Sequence, residues 1–166
     1  MTPTLTAGNL ITISPYTIYV PGDILVYQYK NEGLLVHRLL LTEGASNSST
    51  LYHCKGDNAF RLETISYQDI IGKVTAVDNF PISPWPDWKT KLSYAVHLQY
   101  KQCEHGVVQA KETDIYRLYA LLIHNQTDTN LFPKNRILDV AQNFCLSFQV
   151  PFCEIKPFLQ KALAEH

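Results

Sequence analysis

A change of hydrophobic rhythm across a proline-rich joint narrows the folds open to this chain. The joint, Asn79-Phe80-Pro81-Ile82-Ser83-Pro84-Trp85-Pro86, holds three prolines in eight residues. Proline fixes φ and has no N–H to donate, so neither a helix nor a strand ladder continues easily through it. Before the joint, short runs rich in Ile, Leu, Val, Thr and Tyr predict strands at Asn9–Ile13, Asp23–Tyr29, Leu34–Thr42, Thr50–Cys54 and Ile70–Val77. Pro21-Gly22, Lys30-Asn31-Glu32-Gly33 and the polar stretch Glu43–Ser49 separate them. Gly33 can take the positive φ of a tight connection, so Asn31–Gly33 is the expected hairpin turn.

After the joint the period lengthens to that of a helix. Ile137, Leu138, Ala141, Phe144, Cys145 and Phe148 fall on one helical face, with Pro133 suited to its first turn. Ile155, Phe158, Leu159, Ala162 and Leu163 predict a shorter final helix, and Tyr116–Ile123 a third. Leu92–Tyr100 fits two templates. Its alternation at 92, 94, 96, 98 and 100 suits a strand, whereas Trp88, Leu92, Ala95 and Val96 form a helical stripe. The helical reading is preferred. The expected class is α+β: a small antiparallel β-barrel or sheet over 1–79, the joint at 80–87, and a mostly helical region over 88–166. No repeat or low-complexity segment interrupts either half.

Composition excludes several functions. The 14 basic and 15 acidic residues give a net charge of −1, without the Lys/Arg excess of a nucleic-acid-binding surface. A hydrophobic content of 46% is enough to build a core. The longest apolar runs, Leu34–Val36 and Leu39–Leu41, fall far short of the ~20 residues of a membrane span. The opening residues lack the basic start and apolar stretch of a secretory signal. These features point to a soluble, cytoplasmic polypeptide. A segment preceding Met1 in a longer gene product would be the place for an anchor. Cys54, Cys103, Cys145 and Cys153 follow no disulfide or zinc spacing and are expected as buried free thiols; Cys103-Glu104-His105 offers two metal ligands without a completing set. Asn47-Ser48-Ser49 and Asn125-Gln126-Thr127 match the glycosylation acceptor pattern and are read as polar loops. No metal or cofactor is expected.

Three stretches of the front half carry a resemblance. Val20-Pro21-Gly22-Asp23-Ile24-Leu25-Val26-Tyr27 is followed, after the expected hairpin, by Leu35-Val36-His37-Arg38-Leu39. Next come Lys55-Gly56-Asp57-Asn58 and Asp69-Ile70-Ile71-Gly72-Lys73-Val74. The opening is Met1-Thr2-Pro3-Thr4-Leu5-Thr6-Ala7-Gly8-Asn9. In order and spacing these resemble the signal peptidase I and LexA-like serine peptidase superfamily over residues 1–78. The likeness is to the branch with a His-Arg general base, the archaeal and endoplasmic-reticulum type.

The resemblance implies roles. His37 would be the general base and Glu63 its orienting carboxylate, standing seven residues after Gly56 where the family has Asp. Met1, Pro3 and Val36 would contact an extended peptide substrate. Asp57 and Arg38 would be structural, in a turn and in an ion pair. The opening matches the nucleophile box, Ser-Met-x-Pro-Thr-Leu/Ile-x-x-Gly-Asp, from its Met onward, with Asn9 for the final Asp, so the family's Ser would stand immediately before Met1. This polypeptide is therefore expected to be inactive by itself. Ser14, eight residues before Gly22, mimics the box spacing, although Pro15 and Thr17 replace the box's Met and Pro; it is the weaker candidate nucleophile, otherwise a strand-ending Ser.

Two functions follow. One is a signal-peptidase-like serine endopeptidase domain hydrolysing peptide bonds through a Ser-His site. The alternative is a non-catalytic homologue that binds a peptide or protein partner, its helical half serving as the interaction module. Residues 136–163 are similar in composition to the helical pair of small peptide-recognition modules in peptide-modifying systems.

Overall fold

The computed structural model describes residues 1, 4–16, 18–30, 33–44, 49–126 and 133–164. Pro3, Thr17, Asn31, Glu32, Asn47, Ser48 and Thr127 therefore lie outside the described residues, and with them parts of the expected hairpin turn and glycosylation patterns. The chain divides into two units, Met1–Thr90 and Lys91–His166.

The first unit is an antiparallel sheet of seven strands: β1 (Ile11–Ser14), β2 (Ile24–Gln28), β3 (Leu34–Glu43), β4 (Leu51–Lys55), β5 (Glu63–Ser66), β6 (Ile70–Val77) and β7 (Phe80–Pro81). Their order is β1-β6-β2-β3-β4-β5, with β7 beside β6. Among the described residues no pairing joins β1 to β5, so the structure is an open sheet and not a barrel. All five expected strands form. The sequence did not announce β5, whose four residues Glu-Thr-Ile-Ser are too short and polar to show a rhythm. Part of the proline-rich joint also joins the sheet. Among the described residues its strand β7 pairs with β6 alone, an edge position that suits Pro81.

Alternation in β2 supplies both faces of the sheet with apolar side chains. Leu25 and Tyr27 join Tyr19, Leu39, Tyr52, Cys54 and Ile65 in one buried cluster. Ile24 and Val26 join Val74 in the other, against which Met1, Leu5, Ile11 and Val36 pack. Gly22, at φ +99°, lets the chain turn into β2 while the backbone of Trp85 passes close by. A Cβ at Gly22 would lie 2.4 Å from Trp85 O.

Helix α1 (Asp87–Lys101) crosses the boundary between the units, and α2 (Val107–Glu112), α3 (Asp114–His124), α4 (Lys134–Phe148) and α5 (Phe152–Ala164) follow. The stripe Trp88, Leu92, Ala95 and Val96 is buried, so the helical alternative holds for Leu92–Tyr100. In the second unit Leu118–Ile123 are all buried, making α3 the central element, on which α4 places Ile137, Ala141, Phe144 and Cys145. Thr113 caps α3 by accepting from the Tyr116 N–H. Arg136 of α4 donates from Nε and Nη2 to Asp114 Oδ2, at 2.9 and 2.6 Å. No helix among the described residues is long and apolar enough to cross a membrane. The cysteine expectation needs correcting: Cys54 and Cys145 are buried, but Cys153 at the start of α5 is exposed and Cys103 half-buried.

Candidate functional site

His37 lies in β3 opposite Leu25 of β2, its ring edge-on to that of Tyr27. The adjacent row runs Leu39–Cys54–Glu63 across β3, β4 and β5. Glu63 thus stands two strands from β3, roughly 10 Å by the usual interstrand spacing. The Glu63 and His37 side chains reach toward each other over β4, and Oε2 meets Nδ1 at 2.8 Å. The longer arm of Glu suits this reach.

Gly56 makes the meeting possible. It stands one step beyond the Arg38–Lys55 pair, directly across from His37. A Cβ there would lie 3.1 Å from His37 Nε2 and 3.3 Å from Cδ2. Without one, the imidazole lies over the strand with Nδ1 toward Glu63 and Nε2 beside the Gly56 backbone. The imidazole and carboxylate side chains are 20% and 17% exposed, enclosed enough for strong polarity and open enough for a reactant.

Tyr27 completes the cluster, and sequence reasoning had passed over it. Its hydroxyl donates to Glu63 Oε2 at 3.2 Å and lies 3.3 Å from His37 Nδ1. The signal available was parity: Tyr27 shares a face with Leu25 and stands diagonal to His37, within reach of a long side chain. Burial, then the neighbouring Cys54 and Glu63, push the Tyr27 phenol well above its ordinary range, so it stays protonated as a donor. Burial and Glu63 likewise push the Cys54 thiol up, leaving it unionised.

The remaining motif residues build the frame. Arg38 and Asp57 form a buried ion pair, each side chain 1% exposed. Arg38 Nε donates to Oδ1 and Nη2 to Oδ2, both at 2.9 Å, a fork-on-carboxylate geometry. Arg38 also donates to Gly22 O, and its guanidinium lies 3.7 Å from the centre of the Trp85 ring. The opening segment is fastened here too: Thr4 Oγ1 donates to Asp57 Oδ2 at 2.6 Å and accepts from Arg38 Nη2 at 3.0 Å. Asp23 of the first Gly-Asp turn accepts from Val20 N–H and from Lys73 Nζ, tying that turn to β6. Lys55, fully buried, donates to Gly56 O at 3.2 Å and Ala59 O at 2.7 Å, closing the turn beside His37. Burial lowers its ammonium to about 8, with Arg38 adding to the effect and Asp57 and Glu63 opposing it.

The structure thus brings His37 and Glu63 together. Met1 and Val36 both pack against the Ile24–Val26–Val74 cluster, and Pro3 lies outside the described residues. Ser14 is a correction. It ends β1 in the row Ser14–Lys73–Leu25–His37, three strands from the imidazole and about 14 Å away along the sheet. With β6 and β2 between them, His37 cannot take a proton from Ser14. Among the described residues no group of three or more His, Cys, Asp or Glu side chains could hold a metal ion. Comparison with protein-family profiles, curated proteins and solved structures found no match to this chain.

Proposed function

We propose that the first unit is a serine endopeptidase domain of the signal peptidase type, with His37 as general base and Glu63 as its orienting carboxylate. One observation carries this reading: the 2.8 Å contact from His37 Nδ1 to Glu63 Oε2, with the opposite ring nitrogen beside a residue that has no side chain. A carboxylate can only accept, so the proton of that contact sits on Nδ1 and the lone pair on Nε2. An imidazole so arranged can take the proton of a hydroxyl near neutral pH.

The nucleophile in this reading is a Ser immediately before Met1. The Thr4–Asp57–Arg38 contacts support that placement, because they fasten the opening segment to the turn that begins at Gly56. The Ser Oγ attacks the peptide carbonyl as its proton passes to His37 Nε2. The tetrahedral intermediate collapses, the C–N bond breaks, and the amine leaves with that proton. Water then cleaves the ester, its proton taken by the same nitrogen and returned to Oγ.

The test is a chain bearing Ser directly before Met1, offered a fluorogenic peptide library. Cleavage that His37→Ala abolishes supports the reading, and cleavage unchanged in His37→Ala overturns the base assignment. Peptides that bind without being cut would favour the peptide-binding homologue.

A further inference from the structure

The chemistry proposed for His37 depends on which ring nitrogen carries the proton, and Tyr27 touches that choice. Tyr27 is fully buried in β2, and no apolar side chain at that place could donate to the carboxylate. Its hydroxyl and His37 Nδ1 converge on a single oxygen, Glu63 Oε2, at 3.2 and 2.8 Å. The two rings meet edge to face, with centroids 6.3 Å apart and planes at 71°. Three strands therefore contribute to one triangle: β2 the hydroxyl, β3 the imidazole and β5 the carboxylate.

Glu63 carries its carboxylate on a flexible arm that reaches over β4. A lone imidazole contact leaves that arm free to rotate. A second donor on the same oxygen removes the freedom, because the phenol is locked by its packing among Leu25, Leu39 and Cys54. We propose that Tyr27 is a positioning residue that pins Glu63 and so holds His37 in the tautomer protonated at Nδ1, with Nε2 bare. The inference rests on the reading of His37 as base, and it adds a specific tautomer lock to it. The other titratable groups that interact with members of the triangle are Cys54 and Tyr29, which act on Tyr27, and Lys55 of β4, which interacts with Glu63. Burial keeps the Cys54 thiol neutral, so it does not compete for the imidazole proton.

The experiment is nitrogen NMR of the imidazole rings in uniformly labelled protein, with Tyr27→Phe beside the wild type. It needs neither nucleophile nor substrate. The wild type is expected to show an N–H resonance at Nδ1 of His37 and a bare nitrogen at Nε2. In Tyr27→Phe, losing one hydrogen bond to a charged acceptor should raise the share of the other tautomer about tenfold. An unchanged tautomer ratio in the folded variant overturns the role of Tyr27 and leaves the base assignment standing. A wild type protonated at Nε2 instead overturns both. The wild type also gives a test that needs no variant. The Tyr27 hydroxyl proton should exchange slowly and show a nuclear Overhauser contact to the Nδ1 proton; a rapidly exchanging hydroxyl without that contact refutes the lock.

Discussion

Replacing Lys55 by Met should change how the stability of the first unit depends on pH. Lys55 is fully buried, and its ammonium titrates at about 8 in the folded chain against 10.5 when exposed. Between those values the unfolded chain holds a proton that the folded chain has released, so stability rises with pH. The full window, about 2.5 pH units, corresponds to roughly 3 kcal/mol; by about pH 9.5 some 2 kcal/mol should have appeared relative to pH 7. Cys54 and Tyr27 act in the opposite direction. Their folded values are raised, so their contribution is present below the unfolded values of 9.0 and 10.0 and is lost as pH climbs past them. Subtracting the Lys55→Met curve removes them, because both proteins share them. The assay is urea unfolding followed by Trp85 and Trp88 fluorescence at a series of pH values. The wild type should gain about 2 kcal/mol on the variant between pH 7 and about pH 9.5. Two parallel curves would refute the account of Lys55 as a desolvated cation.

Asp57→Ala leaves the buried Arg38 guanidinium without its carboxylate and should lower the stability of the first unit by about 3–5 kcal/mol in the same urea assay. Gly22→Ala forces a Cβ to 2.4 Å from Trp85 O at a positive φ. It should lower the melting temperature through a backbone cost of about 1–3 kcal/mol. Gly56→Ala should keep stability within about 1 kcal/mol of the wild type yet displace the His37 ring, seen as shifted imidazole resonances.

The strands were readable because runs rich in Ile, Leu, Val, Thr and Tyr stand between strong turn signals, as Ile24–Tyr27 does between Pro21-Gly22 and Lys30–Gly33. Leu92–Tyr100 fitted two periods at once, and only burial of the Trp88–Val96 stripe distinguishes them. The open sheet could not be told from a barrel, since closure depends on whether β1 meets β5, separated by most of the unit in sequence. In the candidate site, motif order and spacing singled out His37 and Glu63 as a pair, and their 2.8 Å contact is supplied by strand pairing that the sequence does not display. Tyr27 escaped because its role arises from strand pairing: a phenol in an apolar run looks like core until β2 lies beside β3. Ser14 misled for the complementary reason. Its sequence spacing mimics the nucleophile box, but two intervening strands set it about 14 Å from the imidazole along the sheet.

The central claim is that His37 Nε2 takes a proton from a hydroxyl adjoining Met1. The most direct test is the rate at which a serine-directed phosphonate labels the chain carrying Ser before Met1. Labelling should occur at that Ser and fall by about a hundredfold or more in His37→Ala, in line with the usual contribution of a general base. Equal labelling rates with and without the imidazole, or labelling that is lost in Ser14→Ala, would contradict it.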